Sequence, residues 1–520
     1  MLVSKKHKVL VIRVRDPGRI EAVIPKAKRF THNGKEFLAV KHGVDEVKVL
    51  NNIGIPAPSP IKYHYDWPGQ FKPFLAQRET ADFLTLNNRA FVLNDIGTGK
   101  TLGTLWAFDY LRSIGVVKKA LVVTPLSTLE RVWADEVFNH FPHLTTSVLF
   151  GDSTKRLKML NLDADLYLIN HDGLQVKGVI EALKLREDID LVIIDEIAQV
   201  ARTAGTDRYK LLHTVVNKQV PRRAWGLTGT PTPNQPTDAW AQCRLLVPEK
   251  VPPYMSRFKE SVMRQISNFI WVPRPDALKI VHEAMQPAIR YSRDECIDLP
   301  PCIYEVRQAE LTVTQKKAYK DMLAKLKAEI AGGEVTAVNE AVKAQKLIQI
   351  ACGVVYDNDH EGLDVDAGPR LALTAEICEE AATKVIVFVP FVSVIGLVAN
   401  YLKSKGMTVE MIHGGVSKAE RDRIIGAFQK SDNPRILVAQ PACMSHGLTL
   451  TAASTIVWYA PITSADTFVQ SNGRITRPSQ KNTQLIIMIE GTDLERRYFK
   501  RLKDKEKTQG VLLDMVKDSR

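Results

Sequence analysis

Short apolar runs alternate with longer amphipathic segments along two stretches of the chain, residues 63–248 and 370–490. A polar turn follows each run before a segment with helical periodicity begins. This alternation predicts buried parallel strands joined by helices, so the expected fold class is α/β with two parallel-sheet lobes. The strands predicted for the first lobe are Ala90–Leu93, Ala120–Val123, Leu166–Ile169, Leu191–Ile194 and Ala224–Leu227. Those predicted for the second are Val385–Val389, Thr408–Ile412, Arg435–Ala439, Thr455–Tyr459 and Leu485–Ile489.

Residues 1–66 show a different pattern, in which short apolar runs lie close together. Val9–Arg15, Ile20–Ile24 and Phe37–Val40 are predicted to be strands. Asn33-Gly34 lies before the last of them, and Asn-Gly between apolar runs is typical of a two-residue hairpin turn. We therefore expect a small β-rich domain at the N-terminus.

Residues 249–365 interrupt the alternation. Two helical segments, Thr312–Ile330 and Asn339–Ile350, predict a helical insertion, and the residues near Trp271 include several prolines. Trp271 could stack on nucleic acid, but a buried tryptophan is the commoner case. Residues 491–520 predict a basic terminal helix that packs back across the core. The expected domains are 1–66, 67–248, 249–365, 366–490 and 491–520.

The net charge of +13 over 520 residues favours a polyanionic partner such as DNA or RNA. Residues 1–60 carry twelve Lys and Arg against five Asp and Glu, and this difference of +7 is over half of the total. Two interpretations of that block stay open. It is either a module that grips a nucleic-acid backbone or a solvated basic cap on the main domain.

No apolar run approaches the ~18 residues of a membrane span, and the N-terminus has no secretory pattern. The six cysteines include no Cys-x-x-Cys pair and no zinc-type spacing, which is typical of reduced, structural thiols. We expect a monomeric cytoplasmic protein with no membrane partner.

Residues 91–101 read Phe-Val-Leu-Asn-Asp-Ile-Gly-Thr-Gly-Lys-Thr, a buried strand, a turn and the start of a helix. Gly97 and Gly99 would let backbone N–H groups approach phosphates closely. Lys100 would place a positive charge on the β- and γ-phosphates, and the Thr101 hydroxyl would ligate Mg²⁺. The alternative is an ordinary strand–turn–helix junction, which Gly-Thr-Gly-Lys-Thr in this context makes the weaker interpretation.

Three further motifs follow or precede strands of the first lobe. Asp195 and Glu196 end an apolar strand, where Asp195 would hold Mg²⁺ and Glu196 would orient the attacking water. Acids can also merely end a strand at the surface. Thr228-Gly-Thr-Pro231 could sense the γ-phosphate. Gln77 precedes the phosphate loop and could read adenine through its amide, although alone it would be a surface residue.

The second lobe has no Gly-Lys-Thr of its own. It carries Gln470-Ser-Asn-Gly-Arg-Ile-Thr-Arg477, in which Arg474 and Arg477 are three residues apart and can share one helix face. Arginine suits a phosphoryl transition state because its planar fork stays charged. Surface arginines are common, so this motif alone is moderate support for a catalytic role.

As an ordered set, these motifs resemble those of the Snf-type (sucrose-non-fermenting, chromatin-remodeller-like) ATPases of helicase superfamily two. The resemblance covers about residues 70–515. Its motifs are Gln77, Asp95–Thr101, Thr124-Pro125-Leu126 with Trp133, Asn170-His171, Asp195-Glu196, Leu227–Asn234, Lys384–Phe391, His413-Gly414-Gly415, Ser445–Leu450 and Gln470–Gln480.

The resemblance implies two RecA-like lobes, ATP and Mg²⁺ as cofactors, and duplex or branched DNA as the partner. Nucleotide binding would fall to Gln77, Asp95, Gly97, Thr98, Gly99, Lys100, Thr101 and Gln470, with Thr101 and Asp195 holding the metal. The catalytic residues would be Lys100, Asp195, Glu196, Arg474 and Arg477, of which Arg477 takes the arginine-finger role. DNA contacts would come from Thr124, Pro125, Asn170, His171, His413, Gly414, Ser445 and Thr449.

The sequence departs from the family pattern at three places. Asn94 replaces the first glycine of the phosphate loop, Ala198 replaces a usual histidine two residues beyond Glu196, and Pro478-Ser479 replace a usual Ile-Gly. The histidine normally links the ATP site to the coupling motif, so its loss bears on coupling strength. The compact layout, with a small basic domain in front, resembles phage-encoded members, which would place the protein in a bacterial host's cytoplasm.

Three functions compete at this stage. The leading hypothesis is an ATP-driven translocase on duplex or branched DNA. The second is a strand-separating DNA or RNA helicase, for which the sequence offers no obvious pin or wedge. The third is a nucleic-acid-binding module with a decayed ATPase, which Ala198 keeps open and the intact Lys100, Asp195, Glu196 and Arg477 oppose.

Overall fold

A computed structural model of the chain describes residues 1–217, 222–267, 270–296, 300–331, 337–356, 362–364, 366–444, 449–477 and 480–504. These residues divide into two units, Met1–Cys296 and Ile297–Gly510. The boundary between the units falls inside the predicted insertion 249–365. No helix within the described ranges is long and apolar enough to cross a membrane.

The first unit begins with a small antiparallel sheet whose four strands, all within the unbroken stretch 1–217, run in the order β1-β2-β4-β3. One face of this sheet packs on two helices, because alternate strand residues such as Leu10, Leu38 and Val40 are buried with Val47 and Leu50 of the second helix. The elements are β1 Leu2–Ser4, β2 Val9–Ile12, α1 Gly18–Val23, β3 Lys28–His32, β4 Lys35–Lys41 and α2 Val44–Asn52.

One strand predicted in this module is wrong, and the hairpin turn is confirmed. Ile20–Ile24 lies in and just after helix α1, which begins beyond Pro17 and buries Ile20 and Ile24, four residues apart, on one side. That spacing suits a helix better than a strand. Asn33 and Gly34 join β3 to β4 with φ of 50° and 70°, the left-handed backbone that a two-residue hairpin requires.

The larger sheet of the first unit contains, within the described residues, seven parallel strands in the order β13-β5-β10-β9-β6-β8-β7. Its central strands are buried at nearly every position because helices cover both faces. The strands are β5 Arg89–Val92, β6 Lys119–Thr124, β7 Thr146–Leu149, β8 Leu166–Asn170, β9 Ile189–Asp195, β10 Arg223–Leu227 and β13 Ala288–Ile289.

Helices connect these strands in the order that the alternating pattern predicts. The helices of this unit are α3 Ile61–His64, α4 Leu75–Leu86, α5 Lys100–Ser113, α6 Asp135–His140, α7 Ser153–Leu160, α8 Val179–Leu185, α9 Ile197–Val200, α10 Asp207–Val216, α11 Ala239–Leu246, α12 Met255–Val262, α13 Ala277–Ala284 and α14 Arg293–Cys296. A π-helical turn covers Leu129–Ala134, and 3-10 turns cover His171–Gln175, Pro236–Asp238 and Pro248–Lys250.

A small antiparallel hairpin, β11 Met263–Gln265 and β12 Trp271–Pro273, follows helix α12. Trp271 is half-buried against the core, with the Lys259 ammonium 4.1 Å from its ring centroid. Ile266 and Ile270 beyond the strands are 59% and 54% exposed. This hairpin was not predicted, because its strands are only three residues long and the nearby prolines obscure their alternation.

The second unit has its own parallel sheet, in which the described strands run in the order β14-β21-β20-β17-β19-β18. The two parallel sheets confirm the predicted fold class. The strands are β14 Cys302–Gln308, β15 Val354–Tyr356, β16 Gly362–Asp364, β17 Lys384–Phe388, β18 Val409–Ile412, β19 Ile436–Ala439, β20 Ala453–Trp458 and β21 Gln484–Glu490, of which β15 and β16 form a separate antiparallel pair. The helices are α15 Val313–Ala331, α16 Ala337–Cys352, α17 Gly368–Glu380, α18 Val392–Ser404, α19 Lys418–Lys430, α20 Pro441–Met444 and α21 Ala465–Asn472.

Residues 493–504 form the described part of the predicted terminal helix, and its remainder lies outside the described residues. A buried ion pair attaches this helix to the second unit. The Arg370 guanidinium lies 2.8 Å from the Glu495 carboxylate, and the two side chains are 2% and 0% exposed. Glu495 also accepts the Gly491 backbone N–H at 2.8 Å, so the helix start is fixed.

Candidate nucleotide site

The register of the large sheet in the first unit brings the predicted motifs to one edge. Leu227 on β10 pairs with Val92 on β5 and with Asp195 on β9. All three strands are parallel, so the segments that follow them emerge at the same carboxyl edge. That edge is where ligands of open α/β sheets bind.

The phosphate loop has the backbone that its glycines predict. Gly97 and Gly99 have φ of 92° and 73°, in the left-handed region that favours glycine. A Cβ on Gly99 would lie 2.1 Å from Nε2 of Gln77, so this position also needs glycine for space. Helix α5 begins at Lys100, which places Thr101 in its first turn and directs the free N–H groups of that turn toward the loop.

The Lys100 side chain bends back over the loop. Its Nζ donates to the carbonyl oxygens of Asn94 at 2.9 Å and Asp95 at 3.1 Å. The Thr98 hydroxyl also donates to the Asp95 carbonyl, at 2.8 Å. The ammonium is therefore held at the mouth of the loop, within reach of any anion bound there.

Asn94, the departure from the glycine pattern, has a structural role that the sequence did not suggest. Its buried Nδ2 donates to the Thr80 hydroxyl of helix α4 at 2.8 Å. Its Oδ1 accepts the backbone N–H of Tyr291 at 2.9 Å. One side chain thus connects the start of the phosphate loop to a helix and to the strand segment 287–291.

That segment forms the edge of the sheet beside the strand that enters the loop. The buried guanidinium of Arg290 lies 2.9 Å from the Asp95 carboxylate. This ion pair holds Asp95, in the phosphate loop, against the segment 287–291. The backbone pairs are Phe91 N to Pro287 O at 3.0 Å, Leu93 N to Ile289 O at 2.8 Å and Asp95 N to Tyr291 O at 3.0 Å.

Gln77 lies on helix α4 with its amide against the loop. Its Oε1 accepts the Phe74 backbone N–H at 3.0 Å, and its Nε2 is the atom closest to the Gly99 position. The residue is only 4% exposed. Adenine recognition by Gln77 stays a prediction, but the amide adjoins the phosphate loop as that prediction requires.

Two buried donors hold the Asp195 carboxylate. Its Oδ2 accepts the Thr124 hydroxyl at 2.9 Å and the Trp133 indole N–H at 3.0 Å. Thr124 and Trp133 are fully buried. The sequence motif that contains them predicted DNA contact, whereas their hydrogen bonds fix the orientation of the predicted metal ligand, a role that sequence reasoning missed.

Glu196 has φ 50° and ψ 50°, the left-handed conformation that a non-glycine residue rarely adopts. Such a conformation costs on the order of 1–3 kcal/mol and recurs at functional sites. It turns the chain from β9 into the short helix α9, on which Ala198 is buried.

The predicted DNA residues of the next motif are also buried. His171 Nε2 lies 3.0 Å from the Asp195 carbonyl oxygen. Burial lowers the pKa of His171 to about 4, so the imidazole is neutral near pH 7 and donates its proton to that carbonyl. The Asn170 amide oxygen accepts the Arg156 guanidinium at 3.2 Å. Pro125 accepts the Thr128 hydroxyl at 3.0 Å through its carbonyl. DNA contact by these residues stays a prediction.

The coupling motif packs directly on the phosphate loop. A Cβ on Gly229 would lie 3.4 Å from the Ile96 side chain and 3.5 Å from the Asn94 carbonyl oxygen. Thr228 is fully buried, and its hydroxyl accepts the Thr230 backbone N–H at 3.1 Å. A shift of the loop therefore reaches this motif through direct contact.

In the second unit, helix α21 and the turn after it hold the predicted arginine motif. The buried Gln470 donates its amide to Asp466 at 3.1 Å, and its carbonyl accepts Nε of Arg474 at 2.9 Å. Arg474 is only 3% exposed. Arg477 is partly exposed, and its carbonyl accepts the Gln480 N–H at 2.9 Å.

The other predicted DNA residues of this unit differ in exposure. His413 and Gly414 follow strand β18, where the His413 ring accepts the Gly415 N–H at 3.2 Å and Gly414 is exposed. Thr449 is exposed. Ser445 lies outside the described residues, as do Pro478 and Ser479.

A glycine-bearing loop leads into a helix at the carboxyl edge of a parallel sheet, and an acidic pair ends the next strand but one. This geometry is typical of α/β proteins that bind nucleotides. An SNF2-related domain model matches residues 74–353, and a helicase conserved C-terminal domain model matches residues 369–479. The chain belongs to the SNF2 family of helicase-like enzymes, which hydrolyse ATP.

The relatives include both phage and eukaryotic proteins. The chain is 25% identical to putative protein p41 of Acyrthosiphon pisum secondary endosymbiont phage 1, over 82% of this chain and 95% of the relative. It is 25% identical to the ISWI chromatin-remodeling complex ATPase CHR11 of Arabidopsis thaliana, over 75% of this chain and 37% of that protein. It is 23% identical to the human DNA annealing helicase and endonuclease ZRANB3, over 72% of this chain and 34% of that protein.

The chain therefore spans about a third of the length of those two eukaryotic relatives. Among solved structures, the Sulfolobus solfataricus SWI2/SNF2 ATPase core in complex with dsDNA matches with a TM-score of 0.42 and 23% identity. That match covers 87% of this chain and 96% of the other.

Proposed function

We propose that this protein is a DNA translocase, in which DNA-stimulated ATP hydrolysis drives movement along duplex or branched DNA. The observation that supports this proposal is the candidate nucleotide site of the first unit, in which the left-handed glycines, Lys100 and the acidic pair lie at one edge of the sheet. The family supports ATP hydrolysis, and two relatives, a chromatin-remodeling complex ATPase and a DNA annealing helicase, support DNA as the polymer.

The residues of the site fit a magnesium nucleotide. The left-handed glycines and the start of helix α5 offer backbone N–H groups to phosphates, and the Lys100 ammonium is already above the loop. Thr124 and Trp133 donate to one oxygen of Asp195 and so fix the orientation of its carboxylate, which together with the Thr101 hydroxyl would hold the metal. Bound Mg²⁺ would supply charge neutralisation at the β- and γ-phosphates.

Each catalytic residue then has a separable role. Lys100 binds the phosphates, Asp195 orients the metal, and Glu196 orients the attacking water from its left-handed turn. Arg474 and Arg477 contribute positive charge to the transition state, with Arg477 as the arginine finger. Gln77 recognises adenine.

The first experiment measures ATP turnover with no DNA, a single strand, a duplex, a fork and a four-way junction. We expect stimulation by the duplex-containing DNAs. Lys100→Ala should abolish turnover, whereas Glu196→Gln should keep ATP binding and lose hydrolysis. Lys118→Ala is the matched control, because this exposed lysine precedes strand β6 at the opposite edge of the sheet.

The second experiment tests movement. A translocase that tracks duplex displaces the third strand of a triplex in an ATP-dependent reaction, and Glu196→Gln should abolish this. Turnover that no DNA stimulates, or wild-type ATPase without triplex displacement, would contradict the proposal.

A strand-separating helicase is the second candidate, and the β11–β12 hairpin favours it. Ile266 and Ile270 are exposed beyond its strands, and exposed apolar side chains on a hairpin can act as a wedge between bases. Unwinding of a long tailed duplex that is lost in Ile266→Ser, together with absence of triplex displacement, would select this function over translocation.

A further inference from the structure

The small antiparallel sheet of residues 1–41 has one face that its own helices do not cover. Strand alternation places Leu10, Ile12, Leu38 and Val40 on the buried face. We call the opposite face the open sheet face. Its positions are Leu2 and Ser4 on β1, Val9 and Val11 on β2, Lys28, Phe30 and His32 on β3, and Lys35, Phe37, Ala39 and Lys41 on β4.

Two aromatic rings lie together on the open sheet face. Phe30 and Phe37 are cross-strand partners whose ring centroids are 5.7 Å apart at an interplanar angle of 23°. Phe30 is 39% exposed. Neither ring belongs to the buried core of the module, so the fold does not account for their position.

The charge on this face has one sign. Three lysines and one histidine occupy its described positions, and no Asp or Glu does. The nearby carboxylates lie elsewhere: Glu36 is on the other face of β4, and Glu21 pairs with Arg29 at 2.6 Å. The lysine charge on the open sheet face is therefore not balanced by the sheet itself.

Cations flank the aromatic pair along the hairpin. Lys28 lies one side-chain position before Phe30 on the same face, and His32 and Lys35 form the rung on the other side. Alternate residues of a strand are about 7 Å apart, so each cation is close enough to contact a phosphate of a nucleotide whose base stacks on the rings.

We propose that the open sheet face binds single-stranded DNA, with bases stacked on Phe30 and Phe37 and phosphates at Lys28, Lys35 and Lys41. Flat exposed rings accept unpaired bases, whereas a duplex hides its base faces in the helical stack. The choice of DNA as the polymer rests on the proposed function. The face would hold a strand that is unpaired at a fork or displaced beside a tracked duplex.

The test uses the full chain without nucleotide, a fluorescein-labelled oligothymidylate and a labelled duplex of the same length. Phe30→Ala and Phe37→Ala should each weaken single-strand binding on the order of ten-fold, the scale of one lost base stack. Duplex binding should change by less than about two-fold, because a stack is not available there. Phe138→Ala is the matched control, since this phenylalanine on α6 is 81% exposed beside acidic residues.

A further variant separates stacking from general hydrophobic contact. Phe30→Leu keeps an apolar side chain but removes the flat ring, and we expect it to bind the single strand as weakly as Phe30→Ala. Lys28→Gln with Lys35→Gln should also make the salt dependence of single-strand binding shallower, by about 0.7 in log–log slope for each lost phosphate contact.

Unchanged single-strand affinity in both phenylalanine variants would overturn the proposal, as would equal losses for single strand and duplex. A loss confined to an oligouridylate RNA would overturn the choice of DNA. These binding measurements need no ATP, so they are independent of the ATPase experiments. Failure of duplex-stimulated hydrolysis would reject the translocase function without deciding whether bases stack on the open sheet face.

Discussion

Replacing Thr124 with valine tests whether the hydrogen bonds behind Asp195 control catalysis. Valine keeps the β-branched shape of this fully buried residue but removes the hydroxyl that lies 2.9 Å from Asp195 Oδ2. The Trp133 indole N–H would remain as the other donor. The Asp195 carboxylate would thus lose one of these two hydrogen bonds while the strand keeps its packing.

The expected loss of ATP turnover follows from the negative charge of the Asp195 carboxylate that accepts this hydrogen bond. A hydrogen bond to a charged group contributes about 1.5–3 kcal/mol, so Thr124→Val should lower ATP turnover roughly 10- to 150-fold. Higher Mg²⁺ should recover part of the loss, because the metal itself orients the carboxylate. Thr124→Ser is the matched control, since it retains the hydroxyl.

The assay is steady-state ATP hydrolysis over a Mg²⁺ titration, with and without duplex DNA. The sequence motif predicts a different result, in which Thr124→Val weakens DNA binding and leaves DNA-independent turnover intact. Wild-type turnover with an unchanged Mg²⁺ dependence, accompanied by weaker DNA binding, would refute the positioning role.

Three further predictions concern other parts of the chain. Arg477→Ala should reduce ATP turnover on the order of 10³-fold while ATP binding is retained. Arg477→Lys should recover little of this activity, because lysine lacks the planar guanidinium fork. Wild-type turnover in the alanine variant would exclude the arginine-finger role. The pKa of His171 is about 4 in the folded chain, against an ordinary value of 6.5. Between pH 6.5 and about pH 4 the unfolded chain therefore binds more protons than the folded chain. The free energy of unfolding should fall by about 3 kcal/mol as the pH drops through this range. Urea unfolding at several pH values should show this loss in the wild type and a flatter profile in His171→Gln. Glu495→Gln leaves the buried Arg370 charge uncompensated and should lower the free energy of unfolding by about 3–5 kcal/mol. Glu420→Gln removes only an exposed ion pair and should leave the urea midpoint nearly unchanged. Equal midpoints for these two variants would contradict the assigned burial.

The central strands of both lobes and the phosphate loop could be predicted because their signals are local, whereas the short edge strands β7 and β13 could not. An apolar run buried on both faces, or Gly-Thr-Gly-Lys-Thr after a strand, identifies itself within about ten residues. Strand β14 was missed because its side chains are half exposed and include Glu305 and Arg307. Ile20–Ile24 was assigned to the wrong element because two isoleucines four apart fit either a short apolar strand or one helix face.

The hydrogen bonds that orient the site residues could not be predicted, because they join residues that are distant along the chain. Trp133 reaches Asp195 across 62 positions, and Tyr291 reaches Asn94 across 197. The left-handed turn at Glu196 is equally invisible, since no glycine marks it. Sequence patterns therefore identified the chemical groups, whereas the contacts that orient them required the structure.

The edge segment beside the phosphate loop carries a mechanical consequence. The first unit ends at Cys296, five residues beyond Tyr291, and the backbone of Tyr291 is bonded to both Asn94 and Asp95. The segment that ends at Cys296 is thus attached to the phosphate loop by backbone hydrogen bonds. A force applied to the backbone at Tyr291 would therefore act directly on Asn94 and Asp95 at the start of the phosphate loop.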